Sequence, residues 1–275
     1  MKIRTYAPIE ELKPYVRMLW VLNVDEQVHD TDLKRIPTSG NPKIIIPVQA
    51  ESLVLKMGQQ VIFPEAYNGI VVGQQISPAI VDCPKNTKAF GIELCPIRAY
   101  RLLGHTMPDF TNCMTSVEAV FGNSYRPLSE EIYDCNSDDE ILKVLQKCLL
   151  KLLHNYKKEN SIVEYVAESI LKHNGHVSIS ELCKKTGYTQ RHVDNMFKQD
   201  IGISPKVYAN ITRFNLFYKR LSEFKNIGDL KNDLYEFYSD QTHFIREFKK
   251  FSGGSPMQIL NQRNSIGKLF LPIYS

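Results

Sequence analysis

Ile179-Ser180-Glu181-Leu182-Cys183-Lys184-Lys185-Thr186-Gly187-Tyr188-Thr189-Gln190-Arg191-His192-Val193 reads as two helices joined by a tight turn. Cys183 is small enough to let the helices approach, and four residues later Gly187 supplies the turn. Thr189 is placed to cap the second helix, which runs through Met196, Phe197 and Ile201 and stops at Gly202. In a helix-turn-helix the second helix enters the major groove with its first turns against the base edges. Gln190, Arg191, Asp194, Asn195 and Lys198 fall on its polar face and are the candidate DNA contacts.

A second unit follows. It runs from Ile227-Gly228-Asp229-Leu230 through Leu234 to Ser239-Asp240-Gln241-Thr242-His243-Phe244-Ile245-Arg246-Glu247-Phe248-Lys249-Lys250-Phe251. Ser239 is the natural N-cap, and Phe244, Phe248 and Phe251 recur at helical spacing on an inward face. Asp240, Gln241, Thr242, Arg246 and Lys249 remain outside as a second candidate contact set. The two units echo each other: Gly202-Ile203-Ser204-Pro205 and Gly253-Gly254-Ser255-Pro256 each close a phenylalanine-containing helix.

Gly-Tyr-Thr-x-Arg, then Gly-Ile-Ser-Pro, then Ser-Asp-Gln-Thr-His-Phe-Ile-Arg-Glu-Phe-Lys-Lys-Phe-x-Gly-x-Ser-Pro, in this order, resembles the DNA-binding domain of the AraC family of transcription regulators over residues 159–262. The resemblance implies two helix-turn-helix units joined by a long helix, their recognition helices entering successive major grooves of one duplex. The matching linker helix would start at Ser204-Pro205 and include Tyr208, Ile211, Arg213, Phe214, Phe217 and Leu221. Two departures stand out. Where the family has a small residue and then glycine-aromatic, this chain has Leu234-Tyr235-Glu236-Phe237-Tyr238, so the second turn must be built differently. Phe217 sits where the family's linker usually has alanine, which implies looser or rearranged packing.

Upstream the periodicity changes. Val16 to Leu22, Lys43 to Val48, Ser52 to Leu55, Gly69 to Val72 and Lys88 to Leu94 are apolar or alternating runs, expected as strands. Ser39-Gly40-Asn41-Pro42 and Lys56-Met57-Gly58 are turn signals between them. Ile97 to Leu103 reads as a short helix closed by Gly104. Another opens at Ser137, with Ile141, Val144, Leu145, Cys148, Leu149 and Leu152 at helical spacing. Its apolar stripe fits either the core of the β domain or a dimer seam. A polar run, 154–160, is the expected connection, and Ser161 to His173 the next helix, with Ile162, Tyr165, Val166, Ser169 and Ile170 on one face.

The expected fold class is therefore α+β in two domains: a small β-rich domain with flanking helices, then an all-α domain with two helix-turn-helix units on a linker helix. The boundaries are 1–156, 157–265 and a tail of 266–275. Pro14-Tyr15-Val16-Arg17-Met18-Leu19-Trp20 and Ala89 through Gly104 resemble an N-terminal domain common in the AraC family. That resemblance implies a sensor of a small-molecule effector or a homodimerisation module.

Bulk properties are consistent with this. At 275 residues, 43% hydrophobic and 23% charged, the chain suits two globular cores. Residues 1–155 carry 16 Lys/Arg against 18 Asp/Glu, whereas 156–275 carry 18 against 12. The basic half is the candidate polyanion binder. Met1 to Pro8 lacks a signal-peptide apolar run and no stretch suits a membrane helix, so a cytoplasmic protein without membrane contact is expected. The six cysteines are scattered without a C-x-x-C pair, pointing to reduced thiols, mostly buried. Residues 1–150 hold only His29 and His105, too few histidines for a metal-binding β-barrel. With no Gly-x-Ser-x-Gly and no phosphate-cradling loop, neither an enzyme nor a cofactor is expected.

Within the candidate interface, Arg191 and Arg246 suit bidentate contacts to guanine, and Asn195 or Gln241 contacts to adenine. Lys184, Lys185, Lys198, Lys206, Lys249 and Lys250 suit phosphates. Three of these lysines, Lys184, Lys185 and Lys250, fit ordinary solvated positions equally well. His243, beside inward phenylalanines, reads as a packing residue or a phosphate contact.

Overall fold

The computed structural model describes the chain except residues 1, 26–34, 51–52, 123–124, 154–159, 222–240 and 262–275. A β-rich part precedes a helical part, as the fold class required. Among the described residues, ten strands form two antiparallel sheets. The larger has the order β1 (Lys2–Tyr6), β2 (Val16–Val24), β9 (Thr87–Leu94), β4 (Lys43–Gln49), β7 (Ile70–Val72) and β10 (Met114–Ser116). The smaller has the order β3 (Arg35–Ile36), β8 (Ala79–Asp82), β5 (Val54–Met57) and β6 (Gln60–Ile62).

Alternation along the long strands divides the β-rich core into two layers. Phe90, Ile92 and Leu94 of β9, with Ile44, Ile46 and Val48 of β4, face a helical layer. That layer contains α1 (Ala99–Leu103), α2 (Val117–Phe121), α3 (Arg126–Tyr133) and α4 (Asp138–Leu153). Trp20, Leu22 and Val24 of β2, with Ala89 of β9, face the second sheet instead. Gly91 lies opposite Trp20 in the register, and a Cβ there would stand 1.9 Å from the Trp20 ring. The glycine lets the indole lie flat across the strand.

The expected strands 16–22, 43–48 and 88–94 lie within β2, β4 and β9, and 69–72 covers β7. The run placed at 52–55 is shifted: β5 begins at Val54. Gly104 ends α1 in the left-handed region, and Ser137 Oγ accepts from the Glu140 amide at the start of α4. Of the apolar stripe of α4, Ile141, Leu145 and Leu149 are buried against the larger sheet together with Leu142, while Val144, Cys148 and Leu152 are half-buried. All six cysteines are free thiols, but Cys83 and Cys183 alone are buried and the other four are half-buried.

The helical part contains α5 (Ser161–Lys172), α6 (Ile179–Thr186), α7 (Gln190–Ile201), α8 (Pro205–Leu221), α9 (Gln241–Ser252) and α10 (Pro256–Asn261). Their inward residues form one core, including Val166, Ile170, Val193, Phe197, Phe214, Phe217, Phe244, Phe248 and Phe251. The inner face of α5 differs from the expected one. It comprises Val163, Val166, Ala167 and Ile170, while Tyr165 is 42% exposed. Phe217 is where rearranged rather than looser packing occurs. It is fully buried, with its ring edge-on to Phe244 at 4.7 Å and to Phe248 at 5.9 Å between centroids.

The two parts meet at a junction where Ile97, Ile76 and Cys95 pack against the helical core beside a set of buried polar groups. Lys43 and Glu93, cross-strand partners on β4 and β9, are both buried at the end of the β-rich part that faces α8. Lys43 Nζ donates to Ser39 Oγ at 2.6 Å and to the Asn41 carbonyl at 3.1 Å, and Asn41 Nδ2 donates to Glu93 Oε1. Burial lowers the Lys43 pKa and raises that of Glu93, each opposed by the charge of the other. The loop carrying these groups touches α8: Asn215 Nδ2 donates to the Ser39 carbonyl at 2.7 Å. A second link is ionic, Arg98 to Glu164 of α5 at 2.7 Å. Among the described residues no helix is long and apolar enough to cross a membrane, and no His/Cys/Asp/Glu cluster could hold a metal ion.

Candidate nucleic-acid interface

α6 and α7 are built by local signals. Ser178 caps α6 through the Glu181 amide, and Gly187 ends it at φ 76°. A Cβ at Gly187 would meet nothing, so backbone conformation alone demands glycine there. Cys183 is 2% exposed in the core shared with α7. Thr189 caps α7, its hydroxyl accepting from the His192 amide at 3.3 Å, and Gly202 ends the helix at φ 93°. Val193, Phe197 and Ile201 are the inward face.

Gln190, Arg191, Asn195 and Lys198 are therefore exposed together on one side of α7. Asp194 is half-buried and close enough to Cys183 to help raise its thiol pKa, behind burial as the larger cause. It faces α6 more than its expected neighbours do. Sequence reading passed over Tyr188, which is 46% exposed and stacks on His192 at 5.0 Å between ring centroids. An aromatic next to Gly187 was the available signal. This stacked pair adds a flat, partly apolar surface at the N-terminal end of α7.

α9 repeats the design. Arg246 and Lys249 are exposed, while Phe244, Phe248 and Phe251 are buried. Gln241, Thr242 and His243 lie in the first turn of α9. Asp240, the cap Ser239 and the first helix expected from Ile227 to Leu234 lie outside the described residues. α9 is tied to α8 by Asn210 Nδ2, which donates to Glu247 Oε1. Lys184, Lys185, Lys206 and Lys250 are exposed.

Aligned with an offset of 51 residues, the units agree position by position: Val193 with Phe244, Phe197 with Phe248, Lys198 with Lys249 and Gly202 with Gly253. The glycine amide bonds the carbonyl four residues back at 2.8 Å in each, to Lys198 and to Lys249. The next helix is capped alike, Ser204 Oγ accepting from the Val207 amide and Ser255 Oγ from the Gln258 amide.

Two solved structures of ToxT from Vibrio cholerae match this arrangement along nearly the whole chain. The apo form from strain SCE256 covers 89% of this chain and 96% of its own, at 12% identity and a TM-score of 0.50. A second crystal form covers 95% and 98%, at 11% identity and a TM-score of 0.50. The chain has the fold of these ToxT structures. The β-rich part is also matched by a family model described as a domain of unknown function, DUF6597, over residues 4–116. Comparison with curated proteins gives no match.

Proposed function

We propose that the chain is a sequence-specific, double-stranded-DNA-binding regulator of transcription that divides near residue 156 into a sensing domain and a DNA-binding domain. The observation that carries this reading is the repeated unit. Two glycine-terminated helices, α7 and α9, share one frame, and each presents a polar, basic face away from a common phenylalanine core. Arg191, Asn195 and Gln190 in the first unit and Arg246, with Gln241 and Thr242, in the second are the base-reading candidates. Lys198 and Lys249 are the phosphate contacts.

Selection of binding sites from random duplex DNA tests it. The full chain should enrich two half-motifs about one helical turn, ~34 Å, apart. Arg191→Ala should relax one half and Arg246→Ala the other, each by about 1–3 kcal/mol at the base concerned. Lys198→Ala or Lys249→Ala should weaken all sequences alike and reduce the salt slope by about 1. Unselective, salt-limited binding by the unaltered chain would defeat the proposal.

For the β-rich part, an effector sensor is favoured over a module that only pairs copies through α4, because Ile141, Leu145 and Leu149 of the stripe such pairing would use are buried core. Beneath α4 lies an apolar cavity of about 40 Å³, lined by Ile44, Ile92, Tyr125, Leu145 and Leu149 among others. That is well below the roughly 300 Å³ of a typical small-molecule site. A ligand of ordinary size there would have to lift α4.

A further inference from the structure

The β-rich part holds the two repeated units at the same atom. Thr111 Oγ1 donates to the Gly202 carbonyl at 2.7 Å. Arg35, on β3, donates from a guanidinium nitrogen to the Gly253 carbonyl at 2.8 Å. Gly202 and Gly253 are equivalent under the 51-residue offset, and both are left-handed, at φ 93° and 76°. Both are also pressed closely. A Cβ at Gly202 would stand 2.6 Å from Thr111 Oγ1, and one at Gly253 would stand 3.0 Å from Arg35 Cδ and 3.1 Å from Pro78 Cγ. The second grip is reinforced two residues back, where the Thr38 amide donates to the Phe251 carbonyl at 2.9 Å.

Nothing in the β-rich part is repeated to match. One grip comes from the turn after a short helix at Met107–Phe110 and the other from a strand and a loop at the opposite end of the chain segment. Unrelated elements thus converge on one backbone position of a repeat. From this we infer that Thr111 and Arg35 are positioning residues that set the separation of the two half-motifs by holding each recognition helix at its C-terminal glycine. The inference rests on the DNA-binding reading above.

The geometry supplies the lever. Each recognition helix has 12 residues. At 1.5 Å per residue that is about 18 Å from gripped end to reading end. A tilt of about 10° at the glycine carries the first turn roughly 3 Å, close to the ~3.4 Å step between successive bases on a strand. Loss of a grip therefore lets a helix read one base pair away without unfolding.

The test is the same site selection on the full chain, scored for the distribution of half-motif spacings. The unaltered chain should give one dominant spacing. The double variant Thr111→Val/Arg35→Ala should keep both half-motifs, while sites shifted by one base pair gain about thirtyfold relative to the dominant one, the combined worth of two hydrogen bonds. Thr111→Ser/Arg35→Lys, which keeps a donor at both places, should restore the narrow distribution. A purely structural loss would lower the melting temperature and total binding but leave the spacing alone. An unchanged spacing in the double variant, or a broad one that the conservative pair does not rescue, overturns the inference. Absence of two half-motifs with the unaltered chain overturns the DNA-binding reading beneath it.

Discussion

Lys43→Met should destabilise the chain by about 3–4 kcal/mol at neutral pH, the cost of protonating a carboxyl of ordinary pKa ~4.3 at pH 7. Glu93 is wholly buried, and only Asn41 and the more distant charge of Arg17 would remain to support its ionised form. Protonation is then its cheapest escape. Its folded-state pKa lies above the unfolded one, so the penalty is greatest above the folded value and fades as pH falls towards ~4.3. Glu93→Gln strands the opposite charge. Lys43, its pKa already lowered by burial, would shed its proton at a cost of about 4–5 kcal/mol at pH 7. A lysine with a depressed folded-state pKa destabilises least above its unfolded value of ~10.4, so this penalty fades as pH rises. The two single variants should show opposite pH slopes in denaturant midpoints between pH 5 and 9. Lys43→Met/Glu93→Leu, which removes both charges, should recover most of the loss. Slopes of the same sign would mean that the two groups are not a buried pair.

Phe248→Ala should cost about 3–5 kcal/mol. Its ring meets those of Phe214, Phe217, Tyr218 and Phe244 at centroid distances of 5.4, 5.9, 6.2 and 5.6 Å. Deleting it opens a cavity that rigid aromatic neighbours cannot close. Urea melts should show a lower midpoint with an unchanged slope. A loss under about 1 kcal/mol would mean that the cluster is loosely packed and Phe217 has not taken up the space its size demands. Phe217→Ala, which installs the residue type usual at the matching position of the family that the sequence resembles, is the informative companion. If the cluster has grown around the ring, reverting it should destabilise comparably rather than relieve strain.

How much of this was legible follows from element length and from sequence distance. β2, β4 and β9, of nine, seven and eight residues, are long enough for alternation to be read. Among the strands of five residues or fewer, β5 and β7 are marked by apolar runs beside Gly58 and Gly69, whereas β1, β3, β6, β8 and β10, like α2 and α3, carry no such signal. The first helix-turn-helix was readable because Cys183, Gly187, Thr189 and Gly202 each answer a local demand for small size, left-handed backbone or a cap. On α5, helical spacing fixes a stripe but not its edges, and Tyr165, at the edge, is exposed. The grips on Gly202 and Gly253 join residues 91 and 218 positions apart, and no local pattern announces such pairs.

Among the described residues the first strand of the larger sheet has one partner, β2, on one side only. Its residues Lys2 and Arg4 are exposed, and Arg4 is anchored to Asp138 at the start of α4 at 2.6 Å. Positive charge along an open strand deters an identical strand from adding to it, since two copies would bring like charges face to face. Extension of this sheet from one molecule into the next is thereby discouraged at that end. Homodimers, and aggregates formed at high expression, should be sought through some other surface.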